Sequence, residues 1–167
     1  FKIALELKYR RYQTAISLNK KNGKPLNSNG TTNIYPKWNP TKNGFAYLSN
    51  KRNDFFSQTD LYYFNLEDNS EIKIKNSVFS APCWHPNGDV IYYSKKPKFP
   101  NKRGSRFYDI YSYDMNIKEE KRLTYDARAY NPVFVELDSV IFYLSTNDGT
   151  QNIYMLDLKD NKSKKIT

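Results

Sequence analysis

The chain has 167 residues, a formal net charge of +10, and 16% aromatic residues, led by 15 Tyr and 10 Phe. That length supports one domain with a real core, and no run of about 18 apolar residues exists to cross a membrane as a helix. A single cysteine, Cys83, and a single histidine, His85, exclude an internal disulfide and leave too few ligands for a zinc site.

In chain order, the first residues carry Lys2, Glu6, Lys8, Arg10 and Arg11, too many charges for the apolar core of a signal peptide. Ile3, Leu5, Leu7, Tyr9, Tyr12 and Ile16 mix alternating and helical spacing, and a short helix over Phe1 to about Thr14 is expected. Asn19 to Asn33, rich in Lys, Asn and Gly, reads as linker. Residues 1–34 are thus expected to form an N-terminal helix and linker. Because the chain starts at Phe rather than Met, it is expected to be a piece of a longer protein, with any targeting signal outside it.

From Tyr35 onward the sequence repeats. The first anchor is Tyr35-Pro36-Lys37-Trp38, then Ala81-Pro82-Cys83-Trp84, then Asn131-Pro132-Val133-Phe134. A second follows: Phe45-Ala46-Tyr47-Leu48-Ser49, Val90-Ile91-Tyr92-Tyr93-Ser94, and Ile141-Phe142-Tyr143-Leu144-Ser145. The third starts at Asp60-Leu61-Tyr62, Asp109-Ile110-Tyr111 and Asn152-Ile153-Tyr154. A weaker fourth is Glu71 to Ile74, Lys121 to Thr124, and Lys164 to Thr167. Each anchor is a strand-sized run rich in aromatic and β-branched residues. Asn43-Gly44, Asn87-Gly88 and Asp148-Gly149 supply hairpin turns, because these residues accept positive φ. Four strands per unit at about 40–50 residues per unit is the blade of a β-propeller. The fold class is therefore all-β, with three four-stranded antiparallel blades over 35–76, 77–124 and 125–167. A β-sandwich is the competing architecture, but it does not require the same residue types at the same offsets three times.

At these residues the chain resembles the TolB-like (WD40-like, PD40) propeller repeats. Pro36-Lys37-Trp38-Asn39-Pro40 and Pro82-Cys83-Trp84-His85-Pro86-Asn87-Gly88 match the family's P-x-W-S-P-D-G turn, and Arg122-Leu123-Thr124 and Lys165-Ile166-Thr167 match its closing L-T. The third unit departs, with Phe134-Val135-Glu136-Leu137-Asp138 replacing that turn, and the first lacks the final L-T. Three blades do not close a ring, since propellers use about four to eight, so further blades are expected beyond this chain. The resemblance implies a periplasmic or cell-envelope location and a protein-binding role. In some bacterial proteins such a propeller follows a peptidase-like domain, which makes an accessory, substrate-gating or docking propeller the alternative.

No catalytic or nucleotide-binding signature is present: no G-x-S-x-G elbow, no G-x-x-x-x-G-K-[ST] and no G-x-G-x-x-G. No enzymatic activity, cofactor or metal is therefore expected of this chain. His85 is expected to be structural, Cys83 a small buried hydrophobe, and Asn147-Asp148-Gly149 a plain hairpin rather than a calcium turn. Asp60, Asp109, Asp114 and Asp157 recur at the ends of the third strand. Recurrence once per blade points to caps or bridges rather than an acid–base pair.

Two long loops between second and third strands form the candidate binding rim. One holds Lys51, Arg52, Phe55 and Phe56; the other holds Lys95, Lys96, Lys98, Phe99, Lys102, Arg103 and Arg106; and the joint before the third blade adds Arg128. Loops on a rigid scaffold are where binding concentrates. Arg52, Phe55, Phe56, Lys98, Phe99, Arg103, Arg106 and Arg128 are the expected partner-binding residues, suited to an acidic or aromatic-rich protein or peptide. Solvated hairpins are the competing reading. The positive charge is spread along the chain and mixed with Asp and Glu, which argues against nucleic acid as the partner.

Overall fold

A computed structural model of the chain describes residues 5–10, 13–18, 24–27, 32–51, 58–135 and 139–167. Every regular element among them is a β-strand. Strands β1 (Leu5–Arg10), β2 (Gln13–Leu18) and β3 (Lys24–Asn27) form a three-stranded antiparallel sheet. The helix expected over Phe1 to Thr14 is therefore replaced by a hairpin, in which Leu5 pairs with Leu18 and Arg10 with Gln13. The alternation of Leu5, Leu7 and Tyr9 has prevailed over the helical spacing. The expected linker also contains a strand, β3; its residues 19–23 and 28–31 lie outside the described residues.

Three four-stranded antiparallel sheets follow, each with its strands in sequence order. The first comprises β4 (Asn33–Trp38), β5 (Gly44–Ser49), β6 (Asp60–Asn65) and β7 (Glu71–Lys75). The second comprises β8 (Cys83–Trp84), β9 (Val90–Lys95), β10 (Asp109–Asp114) and β11 (Glu120–Arg122). The third comprises β12 (Ala129–Val135), β13 (Val140–Ser145), β14 (Asn152–Asp157) and β15 (Ser163–Lys165). This is the blade pattern expected of a β-propeller. The chain divides into two compact units, residues 1–38 with 44–77, and residues 39–43 with 78–167.

In the first unit, β5 is buried along its whole length and β6 along all but its last residue. Phe45, Tyr47, Tyr62 and Phe64 form its aromatic core, with Phe45 stacked on Phe64 at 5.7 Å. Glycine is required at Gly44, because a Cβ there would collide with the Tyr63 ring and the Phe64 carbonyl. In the second unit one core joins two sheets: Tyr92 and Ile110 from the second, Ile141, Tyr143 and Leu156 from the third. Phe134 lies parallel to Tyr92 at 5.7 Å across that seam. Burying each such side chain contributes about 1.5–3 kcal/mol.

The three sheets repeat the same devices. Trp38 faces Phe45, Trp84 faces Ile91 and Phe134 faces Ile141, so each first hairpin has the same span. In the first and third sheets the strand before it is bulged at Tyr35-Pro36 and Asn131-Pro132, where proline costs no ladder hydrogen bond. Tyr47, Tyr93 and Tyr143 lie opposite Tyr62, Tyr111 and Tyr154. Their hydroxyls bond Glu71, Glu120 and Ser163 on the outer strands. Aligning the runs by their serines therefore mismatches the second blade by one: Ser49 and Ser145 face Asp60 and Asn152, whereas Lys95, not Ser94, faces Asp109.

The recurrent carboxylates divide into two kinds. Asp114 and Asp157 cap the turn after the third strand, accepting the amides of Asn116 at 2.8 Å and Lys159 at 2.7 Å, and Asn65 does the same for Glu67. Asp60 and Asp109 are buried bridges. Asp109 accepts from Arg122 Nη2 at 2.6 Å, Thr124 Oγ1 at 3.0 Å, and the amides of Asp126 at 3.2 Å and Ala127 at 2.9 Å. Asp60 accepts from the Ser77 amide at 3.0 Å and Lys73 Nζ at 3.4 Å.

Two stability predictions follow from these contacts. Asp109→Ala removes the acceptor of four donors and should cost about 3 kcal/mol in urea unfolding, whereas Asp114→Ala, a half-buried turn cap, should cost about 1 kcal/mol. Equal losses would show that the bridge carries no special weight. Burial pushes Tyr92 and Tyr111 up to about 12, and pushes Tyr93, which also bonds Glu120, upward as well. An acid whose folded value is raised favours the fold below its unfolded value near 10.0 and loses that contribution as pH climbs towards 12. Thermal melts should thus fall steeply over that window, and Tyr93→Phe should flatten the fall.

Candidate functional site

The second unit's long loop, between β9 and β10, is shaped by its own backbone. Asn101 Oδ1 accepts the amides of Arg103 and Ser105, each at 3.0 Å, and the Asn101 amide donates to the Ser105 carbonyl at 2.8 Å. Gly104 closes the turn at φ +75°, a left-handed conformation that glycine adopts without cost. The tip is thereby braced by the Asn101 side chain and its own backbone.

The joint into the third sheet lies beside this loop. Asp109 holds the amides of Asp126 and Ala127, Ser145 Oγ donates to the Ala127 carbonyl at 2.6 Å, and Ser94 Oγ donates to the Ala129 carbonyl at 2.7 Å. Arg128, between these tethers, has φ 49° and an exposed side chain. Its guanidinium lies over the Phe107 ring at 4.3 Å.

Loop and joint enclose a cleft of about 820 Å³ whose lining includes Phe99, Lys102, Arg103, Phe107, Tyr125 and Arg128. A second recess of about 600 Å³ shares Phe107 and Arg128 with it and adds Phe79, Lys96, Arg106 and Tyr108. Four rings carry a cation over them: Phe99 with Lys98 at 5.3 Å, Phe107 with Arg128, Tyr108 with Lys96 at 5.0 Å, and Tyr125 with Arg122 at 4.6 Å. Phe99 and Tyr125 are nonetheless 72% and 71% exposed. Lys96, Lys98, Lys102, Arg103, Arg106 and Arg128 make no ion pair among the described residues.

Five of the eight expected partner-binding residues are thus located here. Phe99, Arg103 and Arg128 line the first cleft, Arg106 and Arg128 the second recess, and Lys98 stands beside Phe99. Arg52, Phe55 and Phe56 lie outside the described residues. Two other loop cations turn inward. Lys51 pairs with Glu71 and sits 4.0 Å from the Tyr62 ring centre, and Lys95 pairs with Glu120 at 2.8 Å over Tyr111. Sequence reading missed Phe107, Arg122 and Tyr125; the closing Arg122-Leu123-Thr124 motif marked the position of Arg122 but not its reach.

The remaining chemistry-bearing residues are absorbed by the fold. His85 Nδ1 accepts the Asn87 amide at 3.2 Å, and its ring sits 4.7 Å from Phe134. Cys83 is partly buried against the second unit's core. Asp148 pairs with Lys165 at 2.5 Å, which holds its carboxyl down at about 2. Among the described residues no group of three or more His, Cys, Asp or Glu is placed to hold a metal ion.

No family model matches the chain. A Tol-Pal system protein TolB of Ruthia magnifica subsp. Calyptogena magnifica is 35% identical over 95 residues, covering 56% of this chain and 20% of that protein. The chain spans about a fifth of the length of the curated relatives it matches. Among solved structures, TolB from Acinetobacter baumannii superposes with a TM-score of 0.70 at 20% identity, over 94% of this chain and 38% of that one. A puromycin-hydrolyzing peptidase of Mycobacterium tuberculosis superposes with a TM-score of 0.71 at 13% identity, over 92% of this chain and 26% of that one. At such identities the likeness concerns the fold alone. The threefold repeat and the three four-stranded sheets give the chain a β-propeller fold like that of TolB, and its sequence is similar to TolB of the Tol-Pal system over 95 residues.

Proposed function

We propose that the chain is a non-catalytic, protein-binding scaffold of a bacterial cell-envelope protein, and that it binds through the β9–β10 loop and the joint that carries Arg128. The observation that carries this reading is the set of cations and exposed rings around the cleft, held on a loop that fixes its own shape. A rigid surface loses little conformational entropy on binding, and aromatic and Arg side chains are the usual anchors of protein interfaces. The envelope location rests on the similarity to TolB of the Tol-Pal system. The same fold also occurs in a peptidase, so an accessory propeller serving a hydrolytic domain is the second reading.

Cross-linking tests the scaffold reading. A photoreactive residue at position 99 of the full-length protein should trap an envelope protein in cells. Arg103→Glu with Arg106→Glu should then weaken that purified partner's affinity by about tenfold or more, with an unchanged melting curve. Unchanged affinity would remove the rim from consideration. Labelling of the purified full-length protein by an active-site-directed hydrolase probe would favour the second reading.

A further inference from the structure

The two adjoining recesses differ from an ordinary solvated surface in charge balance. Lys102, Arg103 and Arg128 face the first, and Lys96, Arg106 and Arg128 the second. Among the described residues, the single acid that lines them is Asp126. It stands 3.8 Å from Arg122, which Asp109 also engages at 2.6 Å. The remaining cations have no carboxylate partner among the described residues, although 17 Asp and Glu occur in the chain. Elsewhere several lysines are neutralised, Lys42 by Asp89, Lys51 by Glu71, Lys95 by Glu120 and Lys165 by Asp148, while exposed lysines such as Lys118 and Lys159 stand singly along the surface rather than gathered around a recess.

The arrangement of rings narrows what the excess charge would take. Binding single-stranded nucleic acid uses open aromatic faces on which bases stack. Here Phe99, Phe107, Tyr108 and Tyr125 each already hold a cation over the ring, and Tyr108 is also stacked on Phe79 at 4.3 Å. A guanidinium oriented by a ring remains free to donate N–H groups to a carboxylate, a geometry that Arg satisfies bidentately. The rings then offer their edges and rims to aliphatic and backbone groups between the acids.

Resting on the scaffold reading above, we infer that the continuous track through both recesses binds an extended acidic peptide segment of the partner protein, with Asp or Glu carboxylates on Arg103 and Arg128. The positive edge supplies attraction and orientation, and the Phe99 and Tyr125 side chains supply apolar contact.

The test is a fluorescence-anisotropy titration of the full-length protein with a labelled peptide of alternating Glu and Gly, its Gln counterpart, an oligothymidylate and inorganic polyphosphate. The Glu peptide should bind, and the Gln peptide should bind about tenfold more weakly or worse. Arg103→Glu, and separately the exposed Lys102→Gln, should weaken the Glu peptide while leaving the melting curve unchanged. Added salt should weaken it too, because the contacts are solvent-exposed. Equal binding of Glu and Gln peptides, tighter binding of oligothymidylate or polyphosphate, or wild-type affinity in both variants would each overturn the inference. If the acidic peptide fails but the cross-linked partner still depends on Arg103 and Arg106, only the acidic chemistry falls. If that dependence is lost as well, the scaffold reading falls with it.

Discussion

Asp109 is the constraint on which the second unit depends. It is fully buried, and a buried carboxylate is tolerable only when its acceptor sites are filled. Four donors fill them, and they come from two places: Arg122 and Thr124 on the outer-strand side, and the Asp126 and Ala127 amides on the way into the next sheet. One side chain therefore pins the outer strand and aims the following connection. Arg128 is a consequence of that aim. It lies one residue beyond the second tether, in a left-handed conformation, and projects over Phe107 where the cleft opens. The bridge has a structural task, yet it sets the position of a candidate binding residue.

The third sheet shows what happens when the bridge is changed. Asn152 stands where Asp60 and Asp109 stand, opposite the end of the second strand. Its amide nitrogen donates to Asp148, and Lys165, equivalent to Lys73 and Arg122 on the outer strand, pairs with Asp148 instead. The outer strand is still fastened by the same closing threonine: the Ile153 amide donates to Thr167 Oγ1 at 2.9 Å, as the Ile110 amide does to Thr124 Oγ1. Two fasteners thus operate in parallel, and the hydroxyl persists where the carboxylate moves.

Much of the fold was legible because these devices leave residues at fixed offsets. The Trp or Phe of the first strand, the tyrosines of the second and third, and the Leu-Thr ending all have structural partners that recur. The second blade's register was not legible from its serine. Ile91, Tyr92, Tyr93 and Ser94 are all buried, so the central residues of β9 show no alternation of burial to mark the register. Hairpin pairing alone separates Tyr92 from Tyr93. The N-terminal sheet was misread for the opposite reason: alternation was present in Leu5, Leu7 and Tyr9, but Tyr12 and Ile16 overlaid a helical spacing on it, and the pairing of β1 with β2 decided the outcome.

The candidate site was legible as a composition and not as an arrangement. Counting basic residues in the long loops treats Lys51, Lys95, Lys98 and Arg103 alike. The structure separates them by a single criterion, whether a glutamate on the neighbouring outer strand lies within reach. Glu71 and Glu120 take the tyrosine hydroxyl of the second strand and a lysine together, so those lysines are spent inside the blade, over Tyr62 and Tyr111. From Lys96 onward the chain has left the strand, and no outer-strand carboxylate meets its cations. In the second blade the boundary between structural and available charge falls at the end of β9, whereas in the first Lys51, two residues past the end of β5, is still held by Glu71. Blade packing itself sorts the basic residues, keeping for the fold those within reach of the outer-strand glutamate and leaving to the loop those beyond it.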